Sequence, residues 1–122
     1  VLFLYMSDCI FCKIARGEVL SEKIYEDDKF VAFKDINPVG EGHTLIIPKK
    51  HFDNLMEMDD KNSSGYINAI KEVGKILMKR HNADGLNIVL NNGEVAGQVV
   101  GHVHFHILPR KKGDKKRGIF IG

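Results

Sequence analysis

Three of the chain's six histidines alternate within His102-Val103-His104-Phe105-His106. Imidazole titrates near neutral pH and is nucleophilic when neutral. In a strand, alternate side chains share a face, so His102, His104 and His106 would stand in a row about 6–7 Å apart. Val103, Phe105 and Ile107 would then face the core. That core face fixes the register, because a one-residue slip would bury three imidazoles. One imidazole could attack an electrophile through one ring nitrogen while an acceptor holds the other. A protonated neighbour could donate to a phosphate oxygen. A stiff strand keeps both within the tolerance such a pair needs. The same row could instead converge on a zinc ion, or be no more than a polar, half-exposed strand face.

Two other groups could do chemistry. The loop Asn91-Asn92-Gly93-Glu94-Val95-Ala96-Gly97-Gln98 precedes the histidines and fits the phosphate end of a site. Gly93 and Gly97 let backbone N–H groups approach an anion, as in a nest. The amides of Asn91 and Gln98 could donate to phosphate oxygens, although Asn-Asn-Gly is also a common turn. Cys9-x-x-Cys12 has the spacing of half a zinc site and lacks two ligands. Two free thiols are the plainer alternative. A redox pair would want a thioredoxin-like strand and helix, which the flanking sequence does not offer.

The elements that must position these groups follow from pattern. The chain has 122 residues, 43% hydrophobic and 28% charged, the size and composition of one ordinary globular domain. Disorder, collagen and coiled coil are excluded for the chain as a whole. Residues 9–17 read as a short helical turn stopped by Gly17. Strand-like runs at 22–25 and 30–33 flank Asp27-Asp28 and read as a hairpin. The breaker-rich loop Asn37-Pro38-Val39-Gly40 leads to a third strand at 43–47. A long helix begins within 59–64, where several side chains could cap it. It carries Tyr66, Ile70, Val73 and Leu77 at helical spacing, a stripe that reads as core, and stops near 82–85. A fourth strand follows at 86–90, the 91–97 loop next, and a fifth strand at 99–108. Strands outnumber helices and are partly sequential, which argues an α+β fold with a mostly antiparallel sheet.

A net charge of +2 gives no general case for nucleic acid or a membrane surface. From Arg110 onward, six basic residues against Asp114 give +5, which leaves −3 for the rest of the chain. The basic tail at 111–122 reads as a solvated end or as a phosphate-attracting rim. No aromatic residues interleave with its charges, so stacking on a single nucleic-acid strand is not supported. Residues 1–8 read as an N-terminal extension, with Met6 resembling an alternative start. Its apolar run is too short to span a membrane or to act as a secretory signal. The expectation is a cytoplasmic protein, where thiols stay reduced.

Together these residues resemble the histidine triad (HIT) family of nucleotidyl hydrolases and transferases, and in particular its Hint-type branch. The resemblance runs from Cys9 to about Arg110, so residues 9–110 are the expected HIT domain. It includes Cys9-Ile10-Phe11-Cys12, Phe33-Lys34-Asp35-Ile36-Asn37-Pro38, the stretch from Gly42 to His51, and Gly97-Gln98, besides the three histidines. It implies a HIT-like α+β fold with a five-stranded antiparallel sheet, one long helix and one short one, and a homodimer. It implies that His104 is the nucleophile, forming a covalent nucleotidyl-histidine at the α-phosphorus that water then hydrolyses. His106 would contact the phosphate and His43 would support the cluster. Asp35 would bind the ribose hydroxyls. Phe11, Ile14, Phe33 and Ile36 would form the base pocket. Asn91, Gly97, Gln98 and the backbone at Val99 would bind phosphate. In the branch that keeps the cysteines, Cys9, Cys12, His51 and His102 complete a structural zinc site, and no cofactor enters the chemical step.

The activity so implied is that of a purine nucleoside phosphoramidase, with an AMP–amine adduct as substrate. Hydrolysis of dinucleoside polyphosphates is an alternative, as are a nucleotide-binding scaffold with negligible turnover and a metalloenzyme using all three strand histidines. Many Hint-type members carry serine where this chain has Val99, which cannot hydrogen-bond the phosphate through its side chain.

Overall fold

The computed structural model describes residues 9–115. The expected extension at 1–8 and residues 116–122 of the basic tail lie outside the described residues. Two helices, α1 (Ile10–Ala15) and α2 (Asp60–Arg80), accompany five strands: β1 (Lys23–Glu26), β2 (Phe30–Lys34), β3 (Thr44–Pro48), β4 (Gly85–Leu90) and β5 (Phe105–Arg110). The strands form one sheet in the order β1-β2-β3-β5-β4, every neighbouring pair antiparallel. This is the expected α+β fold, with its five-stranded sheet, one long helix and one short one. Among the described residues no helix is long and apolar enough to cross a membrane.

Local chemistry explains the turns and ends. Asp27 closes the β1–β2 hairpin by accepting from the Lys29 and Phe30 N–H groups, each at 2.8 Å, an Asx-type turn. Asp59 caps α2 by accepting from the Asn62 N–H at 2.9 Å, which satisfies one of the helix's orphan donors. Cys9 caps α1 in the same way, with its sulfur facing the Cys12 N–H.

The period of two sorts the sheet into two faces. Phe30 and Ala32 of β2, Ile46 of β3 and Ile107 of β5 pack with Tyr66, Ala69, Ile70, Val73 and Leu77 of α2. Val31 and Phe33 of β2 and Leu45 and Ile47 of β3 pack with Phe11 and Ile14 of α1. Odd-numbered residues of β5 serve the α2 side, so the histidines fall on the α1 side.

One expected boundary is corrected. The fifth strand was expected over 99–108 but begins at Phe105, so His102 and His104 precede it. The β3–β5 ladder ends at the pair Ile46–Phe105. Beyond it, Pro48 has no N–H to give, and its carbonyl accepts from His102 Nε2 at 2.8 Å. The chain is held there by other means: the Val103 N–H donates to the Phe52 carbonyl at 2.8 Å. The histidine face is also no half-exposed surface. His102, His104 and His106 are all buried: Phe11 of α1 lies against His102 and His104, and His43 lies against His106.

Tyr66 spans the end of the ladder from the α2 side. Its hydroxyl donates to the Ile46 carbonyl and accepts from the Phe105 N–H, and the residue is fully buried. Tyr66→Phe should therefore lower unfolding free energy by about 1–3 kcal/mol, because it strands two buried backbone groups. Urea titration followed by circular dichroism measures this; a loss well under that range would mean that the two groups find other partners.

Candidate active site

A cavity of about 720 Å³ opens on the α1 side of the sheet. Of the residues expected at a nucleotide site, Phe11, Ile14, Phe33, Asp35, Ile36, Val99, His104 and His106 line it. Its apolar wall has a physical origin. The α1 stripe packs edge-on against β2, with the Phe11 and Phe33 ring centroids 5.6 Å apart. Phe11 also sets its ring against His104, at 5.1 Å. Ile36 and Leu20 stand almost wholly exposed at the mouth, at 91% and 98% of their accessible surface. Ile10, Val19, Leu20, Leu45 and Val100 also line the cavity and were not singled out from sequence. The adjacent apolar pair Val19-Leu20, just past the stop at Gly17, is the signal that could have found two of them.

Backbone groups set the direction of His43 and His104, and His43 in turn sets that of His106. His104 Nδ1 donates to the His102 carbonyl at 2.9 Å, so the neutral ring keeps its lone pair on Nε2. The Val39 N–H donates to His43 Nδ1 at 3.2 Å, which places the His43 proton on Nε2. That nitrogen lies 3.0 Å from His106 Nδ1 and 3.5 Å from Asp35 Oδ2. His106 Nδ1 is therefore an acceptor, and Nε2 is the donor of a ring centred 5.0 Å from His104. The result is one ring with its lone pair on Nε2 beside another with its proton on Nε2, and both residues line the cavity. Asp35, His43 and His106 also cluster closely enough to hold a cation. The tautomer argues against it, since His43 Nε2 carries a proton.

Cys9, Cys12, His51 and His102 form a second group, with ligand atoms all within 4.8 Å of one another. Cys9 Sγ lies 3.3 Å from His102 Nδ1, Cys12 Sγ 3.3 Å from His51 Nδ1 and 3.6 Å from His102 Nδ1. A tetrahedral zinc ion, with bonds of about 2.3 Å to sulfur and 2.0–2.1 Å to nitrogen, separates S and N by about 3.5 Å. The far nitrogens are oriented as a metal site needs: His102 Nε2 donates to the Pro48 carbonyl, and His51 Nε2 to Asp53 Oδ1 at 2.8 Å. Burial, and next the neighbouring Cys9, pushes the Cys12 thiol up to about 12, so a thiolate there needs a cation beside it. Burial brings His102 down to about 4, which keeps it neutral with a free lone pair. The donor set fits a metal ion, and His102 belongs to this group rather than to the cavity.

The expected phosphate loop is built differently. Asn91, Gly97 and Gln98 lie outside the cavity lining. The Gln98 amide closes its own loop: Oε1 accepts from the Gly93 N–H at 2.7 Å, while Nε2 donates to the Asp53 and Val100 carbonyls at 2.6 and 2.9 Å. The N–H groups of Ala96, Gly97 and Gln98 bond to carbonyls of Gly93 and Glu94. A short 3-10 turn, Glu94–Ala96, occupies what reads in sequence as open loop. Gly97 sits at φ +100 against Asn91, whose amide nitrogen would lie 3.4 Å from an added Cβ.

A family model described as the HIT domain matches residues 16–113. The match holds Asp35 and His43 through His106 but stops short of Cys9 and Cys12. An uncharacterised HIT-like protein of Methanocaldococcus jannaschii is 52% identical over 106 residues, 87% of this chain and 81% of its own length. An adenosine 5′-monophosphoramidase of Candida albicans is 42% identical over 120 residues, 95% of this chain and 78% of its own. Among solved structures, a zinc-bound histidine triad family protein from Mycobacterium smegmatis superposes with a TM-score of 0.85 at 37% identity, over 90% of this chain and 80% of that one.

The two histidine groups are separable by substitution. Cys12→Ala should lose bound divalent metal, while His104→Ala should keep it at the wild-type ratio. Asp53→Asn should weaken metal affinity by about 10–100-fold, by loosening His51. Elemental analysis of the purified proteins and chelator competition measure these outcomes; metal lost with His104 would place that residue among the ligands.

Proposed function

The chain belongs to the HIT family, and on that footing we propose that it is a nucleotide hydrolase of the purine nucleoside phosphoramidase type, working through a nucleotidyl-His104 intermediate. The observation that carries this reading is the bond from His104 Nδ1 to the His102 carbonyl. It leaves the Nε2 lone pair on a ring that lines the cavity. Neutral imidazole with its second nitrogen held by an acceptor is an activated, oriented nucleophile. The name of the Candida albicans relative supports an AMP-like substrate.

In this mechanism the purine lies between Phe11, Ile14, Phe33 and Ile36, and the ribose hydroxyls donate to Asp35. His104 Nε2 attacks the α-phosphorus, and the P–N bond to the amine breaks. His106 Nε2–H donates to the phosphate oxygen where negative charge builds, and His43 holds His106 in that tautomer. Val99 is largely exposed at the cavity and has no hydroxyl, so the leaving amine takes its proton from His106 or from water. Water then attacks the same phosphorus, which frees AMP and restores His104. Asn91, Gly97 and the backbone at Val99 flank the phosphate, and Gln98 joins them by exchanging a carbonyl partner for a phosphate oxygen. Zinc, held by Cys9, Cys12, His51 and His102, would supply a structural tetrahedral cross-link.

A homodimer joined through β4 belongs to the same proposal. β4 is an edge strand, and Ile88 is half exposed on it. A shallow apolar groove lined by Ile70, Met78, Leu86 and Ile88 runs between α2 and β4. An unpaired apolar edge of this kind invites a second strand.

Turnover of adenosine 5′-phosphoramidate by wild type and His104→Ala tests the chemistry. The variant should lose about 10³-fold or more in kcat with unchanged metal content, and rapid-quench mass spectrometry of wild type should find an adenylyl group on His104. Turnover that survives in His104→Ala overturns the proposal. Nucleotide binding by wild type without turnover would leave the scaffold reading in its place.

A further inference from the structure

Five of the six histidines have been placed; His81 has not. It caps the C-terminus of α2, with its N–H on the Leu77 and Lys79 carbonyls. Its side chain faces the turn that joins β2 to β3. Nδ1 lies 3.2 Å from Glu41 Oε2, and Lys111 Nζ approaches the same oxygen at 3.6 Å. The ring also backs Gly42. That glycine sits at φ +80, and an added Cβ would fall 2.8 Å from His81 Nε2 and 2.9 Å from Pro109 Cγ. The turn is thus pressed against the imidazole with no room to move closer.

His81 Nε2 is buried without a hydrogen-bond partner among the described residues. A buried polar nitrogen left so is costly, and an apolar side chain would fill the same space without that cost. What imidazole adds is the Nδ1 donor to Glu41. Two residues before Glu41 is Val39, whose N–H sets the tautomer of His43. The turn is otherwise stitched by the His43 N–H on the Gly40 carbonyl at 3.3 Å and by Thr44 Oγ1 on the Gly42 carbonyl at 2.8 Å.

We propose that His81 is a positioning residue for the histidine network. By anchoring Glu41 and backing Gly42, it holds the 39–42 turn where the Val39 N–H reaches His43 Nδ1, and so keeps the proton of His43 directed at His106. The inference rests on the catalytic reading of His104 and His106 given above, but the state of His43 can be read without it. Glu41 agrees with the arrangement: the hydrogen bond from His81, and next the charge of Lys111, hold its carboxyl below the usual range.

The test compares His81→Leu, which fills the space without a donor, with His81→Asn, which puts an amide N–H where Nδ1 stands. Glu41→Ala, at an exposed position, removes the anchor with little risk to folding. Long-range proton–nitrogen NMR of the full chain reads the tautomer of His43. Wild type and His81→Asn should show a single form with the proton on Nε2; His81→Leu and Glu41→Ala should show a mixture. On adenosine 5′-phosphoramidate, His81→Leu should lose about tenfold in kcat with KM within about twofold, and His81→Asn should recover most of it. The proposal is overturned by an unmixed His43 in folded His81→Leu, or by His81→Asn being as impaired as His81→Leu. Should wild type turn over no phosphoramidate, the hydrolase reading fails while the NMR comparison still decides on His81.

Discussion

The hydrogen bond from His104 Nδ1 to the His102 carbonyl spans two residues, yet it settles which nitrogen of His104 keeps a lone pair. A parallel bond from the Val39 N–H does the same for His43 and, through it, for His106. Imidazole has no intrinsic preference strong enough to order such a site. Fixed backbone groups impose one, and they cost no reorganisation when charge appears. Burial is what makes this necessary. In water either tautomer would find partners, whereas these rings lie in a covered interior where a misdirected N–H has nowhere to go.

The fold supplies the fixed groups by ending a strand early. The β3–β5 ladder stops at Ile46 and Phe105, and the chain from His102 to His104 leaves the sheet with its carbonyls available to side chains. Pro48 helps by having no donor for a further rung. Tyr66 fills the gap from the opposite face, joining the two strands where their own bonding ceases.

Much of this was readable in advance, for identifiable reasons. Alternation in β2, β3 and β5 assigns each residue to a face whatever the partner strand, so Val103 and Ile107 were placed in the core correctly. The stripe of Tyr66, Ile70, Val73 and Leu77 likewise needs no tertiary knowledge. The start of β5 was misjudged because the consequence of Pro48 depends on register, and register is a long-range property. A half-exposed row of three imidazoles stays open as an alternative from sequence, because nothing local announces that Phe11 of α1 will lie against His102 and His104. The present partners of the Gln98 amide, carbonyls as distant as Asp53, also lie beyond what residue type and local pattern can show. The backbone partners of His43 and His104 also escaped the pattern, since they are set by turns rather than by side-chain periodicity.

The wall that would face a purine draws Phe11 and Ile14 from α1, a helix of six residues. So short a helix has almost no tendency to persist in isolation. What secures it is the packing of Phe11 and Ile14 on β2 and β3, together with the sulfur–imidazole cluster around Cys9 and Cys12 at its first turn. Were that cluster to hold a metal ion, a sample purified through a strong chelating agent and one kept from it would differ at this wall although their covalent chains are identical, and ligand affinities measured on the two would belong to different molecules.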